Sequence, residues 1–155
     1  MSKTITVEEL GGFLDGVVDR LEKPQAAGVL GKWNDVLAGD LAKGFLGSES
    51  PDGVAWAPLK RQRPKGHNQG SRPLIDSGTL MQSVVSDGQG HIEIVTEDST
   101  TFGTSIHYAA VQHWGNKPEA KNNIPARPFI GIPDETLDKA VTMLSEHIIT
   151  VIDAI

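Results

Sequence analysis

Residues 124–133 read IPARPFIGIP, and three prolines in ten residues restrict the backbone there more than anywhere else in the chain. Pro125 fixes its own φ, and Pro128 pushes Arg127 out of the helical region towards an extended conformation. Arg127 is therefore expected to be aimed rather than floppy. Beyond it, Phe129 and Gly131 alternate with Ile130 and Ile132, a period of two that predicts a short strand. Proline offers no donor to a ladder, so this strand is expected at a sheet edge, where unpaired backbone makes a natural docking surface. The expected assembly interface has Arg127 as polar anchor and Phe129 as apolar anchor, with Ile130 and Trp114 beside them. Trp114 belongs to the preceding segment YAAVQHWG at 108–115.

A chain of 155 residues is expected to form one domain, 1–155, burying about 70% of its unfolded surface without staples. Cysteine is absent, which excludes disulfides and thiolate metal sites. The start, MSKTITVEEL, has no apolar run behind a basic end, and no segment approaches about 18 consecutive apolar residues, so neither an address nor a membrane partner is expected. The net charge is −6, yet Lys60, Arg61, Arg63, Lys65 and Arg72 lie in a stretch without acids between Asp52 and Asp76. Setting those five cations aside leaves −11 on the rest.

Thr6 and Glu9 have capping-box spacing before the stripe Leu10, Phe13, Leu14, Val17, Val18 and Leu21, which predicts a helix from Val7 to Glu22. Pro24 suits the first turn of a second helix, whose pattern Val29, Leu30, Trp33, Leu37, Leu41, Phe45 runs to Gly47 and completes a helical hairpin. Asp76 or Ser77 is expected to cap a short helix carrying Leu80 and Val84. Strands are expected at 83–87 and 91–97 as a hairpin, and again at 101–106. Residues 108–114 make two helical turns closed by Gly115. Asp134 is expected to cap a last helix with a long stripe through Leu137, Ala140, Val141, Leu144, Ile148, Val151, Ile152 and Ile155. The fold class that follows is α+β, with N-terminal helical segments and a curved antiparallel sheet packed by the long C-terminal helix.

Between the second helix and the sheet, residues 61–73 read RQRPKGHNQGSRP, with no apolar side chain except proline. The loop 60–73 has little to bury against the entropy of ordering it, and a mobile basic arm is expected. Lys60, Arg61, Arg63, Lys65 and Arg72 make it a candidate contact for a partner, either nucleic acid or an acidic protein.

Catalytic patterns are missing. GVLGK at 28–32 lacks the spacing and hydroxyl of a phosphate-binding loop, and neither H-E-x-x-H nor G-x-S-x-G occurs. His107 and His113 with Glu119 could approach a metal, but their spacing is not diagnostic. Ser105 and His107 share a strand face without an orienting acid. No catalytic, cofactor or metal residue is assigned.

Four segments in order, PDGVAWAPLK at 51–60, LIDSGTLMQSV at 74–84, YAAVQHWG at 108–115 and IPARPFIGI at 124–132, resemble the virion morphogenesis family of tailed phages. The similarity runs from about Phe45 to the end. The family usually places His before Gln in the third segment, whereas this chain has Gln112 and then His113, which argues against an obligatory imidazole chemistry. The resemblance implies a structural, non-enzymatic subunit without cofactors, a tail completion or head-tail joining protein of the virion. It implies a homo-oligomeric ring, a hexamer favoured, with tail tube and head-neck proteins as partners and passing contact with DNA. The competing readings are a nucleic-acid-binding module acting through 60–72 and a metal-dependent hydrolase using His107 and His113.

Overall fold

The computed structural model describes residues 6–22, 25–120 and 122–154. Pro24 and Ile155, expected in the second and last helices, lie outside the described residues. The elements are α1 (Val7–Glu22), α2 (Ala27–Gly47), α3 (Thr79–Val85), β1 (His91–Val95), β2 (Thr100–Thr104), α4 (Ala109–Trp114) and α5 (Asp134–Asp153). The architecture is α+β, as the sequence predicts.

The core is assembled around α2. Trp33, Leu37, Leu41 and Phe45 recur every four residues and all are buried, giving the core its spine. Trp33 donates from Nε1 to the Thr136 carbonyl on α5 at 3.1 Å. The next residue, Asn34, points about 100° further round the helix and serves the hairpin instead. It donates from Nδ2 to Glu93 Oε1 and Thr100 Oγ1, both at 2.7 Å, and accepts the Thr100 hydroxyl at 3.0 Å. Two adjacent side chains thus fix α2 to two different layers. At its C-terminus Ser48 turns left-handed, φ 59°, and its N–H returns to the carbonyls of Gly44 and Phe45.

The sheet has two antiparallel strands, with His91 opposite Thr104, Glu93 opposite Phe102 and Val95 opposite Thr100. The expected pairing of 83–87 with 91–97 is therefore corrected: α3 occupies 79–85 and β1 pairs with β2 instead. A short apolar run does not declare its period, and the i, i+4 spacing of Leu80 and Val84, both buried on α2, decides for helix. Ser83, also buried, donates its hydroxyl to the Leu80 carbonyl at 2.8 Å and lies 2.8 Å from Thr104 Oγ1. Residues 129–132 join no ladder, so the expected edge strand is absent. Prolines on both sides remove donors, and the Phe129 N–H is taken by His113 Nδ1 at 3.3 Å.

The capping box forms as expected: Thr6 N–H meets Glu9 Oε2 at 2.8 Å and Glu9 N–H meets Thr6 Oγ1 at 3.2 Å. Instead of a hairpin with α2, however, α1 makes its main tertiary contact with α5. Arg20 Nη1 donates to the Val151 carbonyl at 3.0 Å. Leu10, Phe13, Leu14, Val18 and Leu21 each stay about half exposed, since the contact with α5 is too narrow to cover the stripe. Asp134 is not the cap of α5; Pro133 takes that position, and Asp134 and Glu135 sit in the first turn, where the helix dipole favours them. The buried face of α5 is centred on Thr136 and Ala140, rotated from the predicted stripe, and Leu137, Val141, Ile148 and Ile149 are exposed.

Candidate docking cleft

Phe45 on α2 is fully buried and carries two aromatic neighbours, Trp56 and Phe129, each with its ring centre 5.6 Å away. Trp56 also donates from Nε1 to the Pro128 carbonyl at 2.8 Å, which locks the proline-rich segment to the segment after α2. Phe129 is 3% exposed and belongs to the core, so its expected place as an apolar interface anchor is corrected. The stiff lead-in does aim this stretch, but inward, because the aromatic pair of Phe45 and Trp56 offers more apolar contact than solvent does. Ile130 is half-buried against the same cluster. Trp114, at 76% exposure, is the member of the expected interface that stays on the surface.

Arg127 is 5% exposed. Its Nε donates to the Ala57 carbonyl at 2.8 Å and its Nη2 to the Pro58 carbonyl at 3.1 Å, and its backbone N–H meets the Gln112 carbonyl at 2.9 Å. One side chain thus ties the segments at 57–58 and 127–129 together. Gly115 makes the approach possible: its φ is 74°, and a Cβ there would stand 2.8 Å from Ala126 N and Ile124 O. Asn116 finishes the join, its N–H reaching the Ile124 carbonyl at 3.1 Å and its Oδ1 accepting the Ile124 N–H at 2.6 Å.

Beside Arg127 opens a cleft of about 830 Å³, walled by residues 59–64, by 74 and 76–80, and by 122–125 and 127, with Tyr108 and Gln112 from the α4 region. Lys60, Arg61 and Arg63 lie along it. Desolvation without a compensating charge pushes the Arg127 pKa below its ordinary value.

The basic loop contains no helix or strand but is cross-linked by polar bonds. Arg63 donates from Nη1 to the Gly70 carbonyl at 2.9 Å and from Nη2 to the Arg72 carbonyl at 2.7 Å. Asp76 closes the loop, accepting from His67 Nδ1 at 2.5 Å and from Asn68 N–H at 2.9 Å. Those two bonds, His67 first, hold the Asp76 carboxyl below its usual range. Lys60 reaches across to the Asn123 carbonyl at 2.8 Å. Lys60, Arg61, Lys65 and Arg72 remain exposed, whereas the Arg63 side chain is spent inside the loop.

The candidate chemical residues do not converge. His113 is partly buried, which lowers its pKa, and its Nδ1 accepts the Phe129 N–H, so the neutral ring carries its proton on Nε2. His107 stands edge-on to Tyr108, and Ser105 Oγ donates to the Gly90 carbonyl at 3.2 Å. Among the described residues no three of His, Asp and Glu gather at a point that could hold a metal ion. No described helix is long and apolar enough to cross a membrane. Asn34, the buried polar hub of α2, has no counterpart in the sequence reading, because nothing in its neighbours' pattern marks a polar residue as interior.

These features define a small α+β protein built on one long helix, with a basic cleft beside a proline-rich segment. The chain belongs to the phage virion morphogenesis family, whose model matches residues 5–148. Its role is accordingly in phage morphogenesis, as a virion-associated protein. No curated protein and no solved structure matches the chain.

Proposed function

We propose that the protein is a structural, non-enzymatic tail completion or head-tail joining subunit, which ends tail assembly and prepares the tail for the head. It works as a ring of identical copies at the tail or neck, a hexamer favoured, touching tail tube and head-neck proteins. The observation that carries this reading, together with the family match, is the apolar surface left uncovered on α1 and α5. Leu14 and Val18 are each 52% exposed and Val141 and Ile149 each 58%. Apolar area returned from water is worth about 25 cal/mol per Å², so copies or neighbours that cover these faces gain association energy.

The test is mass in solution as a function of concentration, with negative-stain images of the large species. Rings are expected, and Leu14→Ser combined with Val141→Ser should abolish them while the monomer keeps its melting temperature. A monomer at every concentration overturns the ring, and heads and tails that join normally without the protein overturn the joining role.

Four exposed cations on the basic loop favour a second reading, contact with duplex DNA. With Arg63 withdrawn, four phosphate contacts correspond to a slope of about −3.6 for log affinity against log salt. Absence of binding near physiological salt removes this reading.

A further inference from the structure

Arg127 presents an unusual balance. Its guanidinium is buried, yet among the described residues its partners are two backbone carbonyls and no carboxylate. A buried charge without a counter-charge is costly, and two neutral acceptors use only part of a five-donor fork. Among the described residues Nη1 has no protein acceptor, and it keeps some solvent contact, since no buried side-chain nitrogen there lacks a partner; Arg127 itself lines the cleft. Lys60 and Arg61 extend the positive field to the mouth. Asp76, the acid in the wall, is already engaged by His67, Asn68 and Arg63. The remaining wall alternates these groups with Leu59, Leu74 and Ile124, which suit the aliphatic stem of a peptide side chain.

We propose that this cleft is a binding site for an acidic peptide segment of a partner protein, one carboxylate of which enters to the Arg127 guanidinium while Lys60 and Arg61 hold further acids at the rim. The burial of Arg127 selects a peptide over a duplex. A carboxylate on a flexible side chain can descend to a guanidinium that is 5% exposed, whereas duplex phosphates lie on a broad convex surface and stop at the rim. The walls are residues of a single subunit, so the site can be tested on the monomer.

Fluorescence anisotropy tests it on dilute, monomeric full-length protein, with a short labelled peptide of alternating Glu and Leu as probe. Its Gln–Leu analogue and a mixed-sequence DNA duplex serve as competitors. The Glu–Leu peptide should bind, more weakly as salt rises, and the Gln–Leu analogue should bind at least about tenfold more weakly. Lys60→Glu with Arg61→Glu should weaken the acidic peptide by about tenfold or more with little change in melting temperature, since both side chains are exposed and the Lys60 bond to the Asn123 carbonyl lies on the surface. Arg127→Lys should weaken it too, and its melting curve will show whether enough folded protein is present to count. Failure of the Glu–Leu peptide to bind, equal affinity for both peptides, or indifference to the double rim variant would overturn the proposal. Displacement by the DNA duplex at lower concentration than by unlabelled Glu–Leu peptide would assign the cleft to phosphate instead. Failure to form rings would leave every one of these readings intact.

Discussion

Asp40 on α2 accepts the hydroxyl of Thr136 on α5 at 2.5 Å, and Thr136 is completely buried. The same turn of α5 gives its Thr136 carbonyl to Trp33, so two α2 residues seven apart grip one residue of the C-terminal helix. The α2–α5 contact is thus held by directional bonds at the N-terminal end of α5, where its buried residues lie.

That pair makes stability depend on acid. Lys43 first and Thr136 second hold the Asp40 carboxyl below its ordinary 3.8. A carboxylate with a lowered folded pKa contributes stability above its unfolded value and loses it as pH falls through the folded one. Denaturant melts should show this contribution intact at neutral pH and declining below about pH 4, and Asp40→Asn should flatten that decline. Thr136→Val, which removes one hydrogen bond to the partly exposed Asp40 carboxylate while Lys139 stays 3.8 Å from the same oxygen, should cost about 1 kcal/mol at neutral pH. An unchanged acid limb in the Asp40 variant would show that the Asp40 carboxylate is not held by Lys43 and Thr136.

Asn34 is 1% exposed and satisfies Glu93 and Thr100 together. Asn34→Leu removes both partners' bonds and should cost about 1–3 kcal/mol. Asn34→Asp should be worse at neutral pH than at pH 4, because it sets a second carboxylate against Glu93. Equal melts of the Asp variant at both pH values would remove Asn34 from its place between α2 and the hairpin.

Phe129 and Trp114 should separate by opposite behaviour. Phe129→Ala opens a cavity beside Phe45 and Trp56 and should lower stability by about 3–5 kcal/mol. Trp114→Ala, on a largely exposed ring, should stay within about 0.5 kcal/mol and act on assembly instead. Urea denaturation of the dilute monomer measures both, and a mild effect at Phe129 would return it to the surface.

Limited trypsin digestion reports on the basic loop. Arg63 and Arg72 each precede a proline and resist cleavage, so the first cuts are expected after Lys60, Arg61 or Lys65. Exposed polar bonds such as those of Arg63 and Asp76 restrain a loop weakly. Prompt cleavage at Arg20 or Lys139 with an intact loop would show that those bonds are stronger than their exposure implies.

Much of the helical layout was legible in advance, because period is a local property, whereas the cap positions expected of Asp76 or Ser77 and of Asp134 are held by Gly78 and Pro133. The Thr6–Glu9 box, the spine from Trp33 to Phe45 and the closing Gly115 each announce themselves within a few residues. The α+β class and the family were readable for the same reason, since short motifs in register survive without any knowledge of contacts.

Where local signals were degenerate, distant partners decided. The short helix carrying Leu80 and Val84 was legible, but the strand expected at 83–87 was not there, because the helix runs on to Val85 and β1 pairs with β2 instead. The prolines did make 124–133 extended, as their chemistry requires, but not which way it faced. Phe45 and Trp56, more than seventy residues upstream, drew Phe129 inward, and the carbonyls of Ala57 and Pro58 captured Arg127. By itself the sequence determined which segments are stiff, apolar or charged, because those are properties of residues and their near neighbours. Only the tertiary structure decided which of them are buried, because burial depends on what the rest of the chain brings within reach.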